Sequence, residues 1–372
     1  MKKIAIITLN GYVNYGNRLQ NFALQEVLKT YGFDVETILI KREKTRSSPL
    51  RQKIFTILKN MFKSKIGVIW FLTLKWEWLI SEELRIKKFK EFTLKYIVEK
   101  DLNLSFDNVP DNLSDLYDFF VSGSDQVWNP DWIGVPSLYF LTFAEKHKRI
   151  AYAPSFGVSQ LEDSISEKYK IWLNDFNKLS VREDDGAKII KELTGRDAPV
   201  LVDPTMLLTK EKWLEIAVNS EKIKGKYLLT YFLGEISKSD KKQINDIAKK
   251  NNLKIINLAD IREKNIYRTG PSEFIEYINS CSILCTDSFH GLIFAILLEK
   301  PFIAYRRVEK ANSMYSRVNT LLDKFNLDCR KSENIVINDQ LFNVDYSHVP
   351  PVLDSERKKA FDYLNSCFLE EN

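Results

Sequence analysis

Short apolar runs alternate with amphipathic segments along most of this 372-residue chain, and that alternation restricts its fold more than any other feature. Residues 2–9 are almost continuously apolar, which is typical of a strand buried on both faces of a parallel sheet. A turn at 10–17 follows, and residues 35–40 predict a second strand. Between them, apolar residues recur at helical spacing: Leu19, Phe22, Ala23, Val27 and Leu28. The start of the chain therefore predicts a strand-loop-helix-strand unit of a parallel α/β sheet.

The same alternation continues to the end of the chain, in two series. The first predicts strands at 118–122, 149–153, 178–181 and 199–202. After a break at 203–205, the second predicts strands at 227–233, 254–258, 282–285 and 301–305, separated by helices. We therefore predict an α/β fold of the GT-B type, with two Rossmann-like domains whose mostly parallel sheets face each other across a cleft. The expected domains are residues 1–207 and 208–350, and the helix in 351–372 is expected to cross back to the first domain.

Composition excludes several classes of protein. Hydrophobic residues make up 44% of the chain and charged residues 28%, as in an ordinary globular protein. The net charge of +5 is small, so we do not expect nucleic acid as a partner. The apolar run after Met1 is too short for a signal peptide. The cysteines show neither zinc nor disulfide spacing, which indicates free thiols and a cytoplasmic location: Cys281, Cys285, Cys329 and Cys367.

A basic and aromatic segment, residues 48–98, interrupts the first domain. Its apolar run at 66–80 contains Lys75 and Glu77, so it falls short of the roughly 18 uninterrupted apolar residues that a membrane span requires. One interpretation is a helical insertion packed on the domain. The other is a Trp-bearing surface that rests on the inner face of an anionic membrane, or that meets a lipid-linked substrate.

Polar residues follow the carboxyl ends of two predicted strands in the first domain. The turn at 10–17 offers backbone amides and the carboxamides of Asn14 and Asn17 to a sugar or an anion, although Gly and Asn also suit an ordinary turn. The segment 123–129 combines Asp125 and Gln126 with Trp128, whose ring we expect to serve as a platform for a sugar. The alternative is a helix start capped by Ser124 or Asp125.

The second domain has its own polar strand end, at residues 286–291. His290 lies there between an apolar strand and an apolar helix, where free backbone N–H groups and the helix dipole attract anions. A titratable imidazole beside an anion site is suited to proton exchange, but a histidine in this position is also often a hydrogen-bonded structural residue. In the first domain, Arg182 ends a predicted strand. It either clamps a carboxylate or phosphate, or forms an ion pair with Glu183, Asp184 or Asp203.

Five segments taken together resemble the polysaccharide pyruvyl transferase family: GYVNYGNRLQ (11–20), GSDQVWN (123–129), SVRE (180–183), VDPT (202–205) and TDSFHG (286–291). The resemblance implies a GT-B-like fold. It also implies transfer of the enolpyruvyl unit of phosphoenolpyruvate onto two hydroxyls of a sugar, which forms a cyclic pyruvyl ketal and releases phosphate. His290 falls on the family's donor-site histidine, and Arg182 on an arginine that contacts the donor. Some members carry an arginine where this chain has Ser288, so the missing cation must come from elsewhere: Arg306, Arg307, Lys310 or Arg317.

The resemblance therefore implies a transferase of capsule or exopolysaccharide assembly that acts on a nucleotide-linked or lipid-linked sugar. We expect His290 as the general acid and Asp125 or Asp287 as the base for the acceptor hydroxyls. No metal site and no cofactor is expected beyond phosphoenolpyruvate as co-substrate. The expected donor-binding residues are Arg182, Ser288, Phe289, Gly291, Arg307 and Arg317. The expected acceptor-binding residues are Asn14, Tyr15, Gly16, Asn17, Ser124, Gln126 and Trp128.

Two alternatives remain open from the sequence. A GT-B glycosyltransferase that uses a nucleotide sugar would have the same alternation of strands and helices. A carbohydrate-binding homologue without catalytic activity would explain why Ser288 stands where some members have an arginine.

Overall fold

Two parallel sheets organise the chain. The computed structural model describes residues 1–41, 65–131, 137–218, 223, 225–308, 315–336 and 341–368, without the side chains of 65–76. The first sheet has the order β3-β2-β1-β4-β5, with strands β1 (Lys3–Ile7), β2 (Asp34–Lys41), β3 (Glu99–Ser105), β4 (Phe119–Asp125) and β5 (Arg149–Pro154). The second has the order β7-β6-β8-β9, with β6 (Tyr227–Tyr231), β7 (Lys254–Asn257), β8 (Ile283–Thr286) and β9 (Phe302–Ala304).

Helices connect and cover these strands. Those of the first half are α1 (Tyr15–Lys29), α2 (Lys65–Tyr96), α3 (Asp163–Asn174), α4 (Asp184–Thr194) and α5 (Lys210–Ile216). Those of the second half are α6 (Lys238–Lys250), α7 (Lys264–Tyr267), α8 (Pro271–Ser280), α9 (Phe289–Leu297), α10 (Ser316–Lys324) and α11 (Val349–Phe368). Every strand pairing within the two sheets is parallel. The predicted fold class is confirmed: the chain forms two Rossmann-like units in a GT-B-like arrangement.

Each sheet has one point where its strand order reverses. In the first sheet this point lies between β1 and β4, and in the second between β6 and β8. A crevice opens at such a point because the connections on either side turn to opposite faces of the sheet, and ligands of open α/β sheets bind there. The polar segments that the sequence singled out follow β1, β4 and β8, and so they end at these two points.

The strand predictions fail at the edges of the first sheet. Residues 178–181 and 199–202 form isolated parallel bridges rather than strands, pairing Ile150 with Lys178 and Val181 with Val200. In contrast, the polar segment Glu99–Ser105 forms strand β3, which the sequence did not predict. A strand at the edge of a sheet is only partly buried, so its sequence carries little of the apolar pattern on which prediction depends.

Helix α2 accounts for much of the predicted insertion. Phe89 and Phe92 on this helix are buried, at 0% and 5% exposure, as the packed-helix interpretation requires. Residues 48–64 of the insertion lie outside the described residues. None of the described helices is both long enough and apolar enough to cross a membrane.

Helix α11 leaves the second half and packs on the first. The Tyr363 hydroxyl donates to the Ala151 carbonyl in β5 at 2.7 Å. The ring of Phe368 lies 5.0 Å from that of Phe33 and 5.3 Å from that of Phe119. The chain therefore passes between the two halves a second time at its C-terminal end.

Candidate active site

His290 lies where helices of the two halves meet. It stands in the first turn of α9, and its imidazole is 7% exposed. Its ring packs against Gly16 in the first turn of α1, so closely that a Cβ atom added to Gly16 would lie 2.1 Å from His290 Nδ1. Two predicted site residues, one from each half, are therefore in direct contact. Gly16 serves here as the residue that leaves room for the imidazole.

Asp203 is the carboxylate next to this imidazole. Its side chain is fully buried, and its Oδ2 lies 3.5 Å from His290 Nε2. The other oxygen, Oδ1, accepts hydrogen bonds from the Thr205 backbone N–H at 3.0 Å and the Thr205 hydroxyl at 2.8 Å. These bonds fix the carboxylate in the turn that begins at Pro204.

Asp203 is ionised in this environment. Burial alone would raise its pKa, but His290 and Arg182 together hold the pKa well below the ordinary value for an aspartate. The sequence predicts Asp203 only as a possible partner of Arg182. The feature of the sequence that could have identified Asp203 as a site residue is its position directly after the predicted strand at 199–202, in the segment VDPT.

Arg182 pairs with two carboxylates of the site. Its Nη1 lies 2.7 Å from Asp203 Oδ2, and its Nη2 lies 3.4 Å from Asp125 Oδ1. The expected structural ion pair with Asp203 is therefore present. Its Nε, however, has no hydrogen-bond partner among the described residues. Because a buried N–H group without a partner is costly, this atom is available to a ligand.

A second buried arginine, Arg317, lies near the same aromatic ring. The guanidinium carbons of Arg182 and Arg317 lie 4.4 Å and 5.6 Å from the centroid of Phe289. Burial, together with the charge of Arg182, lowers the pKa of Arg317 to about 9. Within the described part of the chain, its Nε also lacks a partner. Two neighbouring buried cations with free donors form a site that an anion would complete.

The four candidates for the cation that Ser288 does not supply differ in where they lie. Arg317 lies beside Phe289 and Arg182, as described above. Arg307 donates from Nε to Asp287 at 2.7 Å, and Arg306 is an exposed partner of Glu333. Lys310 lies outside the described residues. Ser288 itself caps α9, because its hydroxyl accepts the Gly291 N–H at 3.2 Å.

Asp125 brings a second ionised carboxylate to the site from the end of β4. Its Oδ2 accepts a hydrogen bond from the Asn17 carboxamide, and its Oδ1 faces Arg182. Burial raises its pKa, but Arg182, His290 and Arg317 outweigh that effect and leave the pKa below the ordinary value. Gln126 contacts the guanidinium of Arg317 through its carboxamide. Asn17, Asp125 and Gln126 are therefore brought together with the arginines.

Asp287, the other expected base, is committed to structural bonds. It accepts the backbone N–H of Leu233 at 2.7 Å and that of Gly234 at 2.9 Å, in addition to the bond from Arg307. These three bonds join the ends of β6, β8 and β9. Both oxygens of Asp287 are thus occupied by bonds that hold these strand ends together.

Glu183 fixes the backbone beside this site. Its Oε1 accepts bonds from the Ser155 hydroxyl at 3.0 Å and from the N–H groups of Phe156 at 2.8 Å and Gly157 at 3.3 Å. Burial raises its pKa. Glu183 therefore holds the loop after β5 next to its neighbour in sequence, Arg182.

Two expected acceptor residues, Trp128 and Tyr15, are core residues instead. The expected sugar platform at Trp128 is wrong, because the residue is 0% exposed, stacks 4.9 Å from Phe140 and donates to the Tyr139 carbonyl at 3.3 Å. Tyr15 is also fully buried, stacked 4.4 Å from Phe274. Ser124 is also fully buried, but its hydroxyl lies 2.8 Å from the Ala153 carbonyl and 3.2 Å from Asp203 Oδ2, and so it reaches the carboxylate of the site. Asn14 remains half-buried just before α1.

The correction at Trp128 predicts a stability effect. Truncating a fully buried Trp to Ala should lower the free energy of unfolding by about 3–5 kcal/mol, because it leaves a cavity. Urea denaturation followed by circular dichroism measures this change. Ile171→Ala is the control, since Ile171 is 54% exposed on α3 and its truncation should change stability by less than about 0.5 kcal/mol. Equal stability of Trp128→Ala and the wild type would contradict the core assignment.

The described residues contain no group of three or more His, Cys, Asp or Glu side chains placed to hold a metal ion. The site consists instead of an imidazole, two ionised carboxylates and two buried guanidinium groups around Phe289. Such a set of groups can exchange a proton beside a bound anion.

Comparison with known proteins identifies the fold and the family of this chain. The MnaA–UDP co-structure from S. aureus has the same fold, with a TM-score of 0.52 and 10% identity over 100% of this chain and 99% of that one. HepE from Anabaena in complex with UDP and glucose gives a TM-score of 0.47 and 10% identity over 98% and 100% of the two chains. No curated protein matches the sequence significantly. A model of the polysaccharide pyruvyl transferase family, however, matches residues 14–307, which include every residue of the site except Arg317. Because this match covers most of the chain, the protein belongs to the polysaccharide pyruvyl transferase family.

Proposed function

We propose that this protein transfers the pyruvyl group of phosphoenolpyruvate onto two hydroxyls of a sugar in a polysaccharide precursor, forming a cyclic ketal and releasing phosphate. The observation that carries the proposal is the contact of His290 with Asp203 beside the paired guanidinium groups of Arg182 and Arg317. Phosphoenolpyruvate presents a carboxylate and a phosphate on a compact frame, and so it suits two neighbouring cations.

Donor binding uses the groups that lack partners. The Nε atoms of Arg182 and Arg317 are buried and without partners among the described residues, and an oxyanion of the donor would satisfy both. The N-terminus of α9 adds its dipole. Both guanidinium groups lie near the ring of Phe289. In this arrangement Arg317 supplies the positive charge that Ser288 does not.

The first chemical step is a proton transfer to carbon. The His290 imidazolium donates its proton to the methylene carbon of phosphoenolpyruvate, and the neighbouring carbon gains oxocarbenium character. An acceptor hydroxyl forms a bond to that carbon and gives its proton to Asp125. The Asp203 carboxylate stabilises the imidazolium before transfer, as a buried acid does for a catalytic histidine.

The second step releases phosphate. A second hydroxyl of the same sugar attacks the same carbon, the bond from carbon to the phosphate oxygen breaks, and phosphate leaves with one proton. The two hydroxyls release two protons in total. One replaces the proton that was added to the methylene carbon, and the other leaves with phosphate. The reaction consumes only phosphoenolpyruvate and the acceptor, which we propose is a nucleotide-linked or lipid-linked sugar, met on the cytoplasmic side of the membrane.

Gly16 provides a test of where the imidazole must lie. Gly16→Ala should reduce phosphate release by about 100-fold, because the new methyl group displaces the imidazole and a shift of about 1 Å has that cost. Gly11→Ala is a matched control in the same turn, where an added Cβ would meet Asn17 at 3.5 Å, an ordinary contact. Phosphate release measured colorimetrically compares the two variants. Equal activity of both would mean that the ring acts from another position.

The function itself is tested with the purified full-length protein. We expect phosphate release from phosphoenolpyruvate only when a suitable sugar is present, and a product whose mass includes one added pyruvyl ketal. A panel of nucleotide-linked and lipid-linked sugars identifies the acceptor. A product in which the sugar keeps its nucleotide or lipid carrier and gains the pyruvyl ketal would separate this function from that of a GT-B glycosyltransferase. Stabilisation by a nucleotide sugar, with transfer of its glycosyl group, would overturn the proposal.

A further inference from the structure

Arg85, on helix α2, lies buried at the junction of the two halves, outside the site described above. It is 5% exposed. Its Nη1 donates to the Tyr267 carbonyl at 2.7 Å, and its Nη2 donates to the Val13 carbonyl at 3.3 Å. Tyr267 belongs to α7 in the second half, whereas Val13 lies in the turn just before α1. One guanidinium group thus joins the backbones of both halves.

Aromatic rings surround this guanidinium. Its central carbon lies 4.7 Å from the ring centroid of Tyr15, 4.9 Å from that of Tyr267 and 5.4 Å from that of Phe89. A cation over aromatic faces is stabilised most when it is removed from water, as it is here. Arginine suits this position because its planar group can stack on rings and donate to separate carbonyls at once.

The contacts continue from Arg85 to the active site through the start of α1. Tyr15, which stacks on Phe274 of the second half, also places its hydroxyl 3.0 Å from the Thr269 hydroxyl. The next residue is Gly16, which packs directly against the His290 imidazole. Arg85 therefore determines how the first turn of α1 lies against the second half, and with it the space available to the imidazole.

We propose that Arg85 is a positioning residue, which holds the segment from Val13 to Gly16 against the second half so that His290 keeps its place beside Asp203. It touches neither donor nor acceptor. The expected effect of Arg85 on turnover rests on the proposed function, whereas its expected effect on the position of the His290 imidazole does not.

The test uses Arg85→Lys in the full-length protein. A lysine keeps the charge, yet its single ammonium group cannot hold both carbonyls in the same way. The chain has only three histidines, so ring resonances of protein labelled with ¹³C on histidine report on His290 separately from His147 and His348. We expect the His290 resonance to shift while the other two stay in place. Turnover should fall at least about tenfold with little change in the KM for phosphoenolpyruvate, because a displaced general acid affects the chemical step.

Arg262→Lys is the matched control, since Arg262 is 87% exposed and pairs only locally with Asp260. It should leave both the resonances and turnover unchanged. A folded Arg85→Lys protein with the His290 resonance at its wild-type position overturns the proposal. If that variant does not fold, Arg85→Gln, whose amide can donate to one of the two carbonyls, is measured in its place, and an unshifted His290 resonance there overturns the proposal equally. Absence of phosphate release in the wild type would count against the proposed function alone.

Discussion

Replacing His290 with glutamine should abolish phosphate release from phosphoenolpyruvate while the protein remains folded. Glutamine approximates the size of the ring but has no acidic proton to give to the methylene carbon. General acid catalysis contributes about 10²–10⁴-fold, so turnover should fall by at least that range. The measurement is phosphate release at saturating donor and acceptor, with circular dichroism to verify the fold.

The histidines of this chain supply a matched control. His147 lies on the surface, with 61% of its side chain exposed, far in the fold from α9. His147→Gln should therefore keep wild-type turnover. Full activity of the His290→Gln protein would remove the general acid from the proposed mechanism, and some other group would have to protonate the donor.

Asp203→Asn should have the second largest effect, a loss of turnover on the order of 10²–10⁴-fold. The amide keeps the shape of the carboxylate and one oxygen for the Thr205 bonds, but its NH2 group cannot accept the bond from Arg182, and the charge beside the imidazole is lost. In a catalytic triad, the equivalent exchange of carboxylate for amide costs about 10⁴-fold with the geometry intact. Steady-state kinetics that give turnover and the KM for phosphoenolpyruvate separately would show this loss.

The same substitution should alter the pH dependence of stability. Because the pKa of Asp203 is lower in the folded than in the unfolded chain, its charge stabilises the fold above the unfolded pKa of about 4. That stabilisation is lost as the pH falls below this value. The unfolding temperature of the Asp203→Asn protein should consequently decline less steeply than that of the wild type between about pH 5 and pH 3. Parallel curves would indicate that Asp203 carries no stabilising charge in the fold.

The fold could be predicted from the sequence wherever burial left an apolar pattern. The strands at the centre of both sheets, β1, β4, β6 and β8, were predicted because each is enclosed on both faces. Strand β3 was not, since EKDLNLS at 99–105 contains three charged residues and lies at an edge. The segments at 178–181 and 199–202 look like strands because they are apolar, yet each contributes only a bridge to the sheet.

The site could be predicted only in part, for a different reason. The carboxyl ends of strands indicated where polar residues gather, and this brought Asn17, Asp125, Arg182 and His290 into one list. Composition at a strand end does not indicate the direction of a side chain, however. The sequence therefore predicts Trp128 and Tyr15 as acceptor-binding residues, although both point into the core. The role of Gly16 was also invisible, because it depends on a contact with a residue 274 positions later.

The return of α11 to the first sheet bears on how the protein can be divided. Tyr363 and Phe368 cover apolar surface around Ala151 and Phe119, both of which belong to the first half of the chain. A polypeptide cut after residue 207 would leave that surface facing water and would tend to aggregate. The first unit therefore needs the last twenty-odd residues for solubility, so recombinant halves should be co-expressed rather than purified singly.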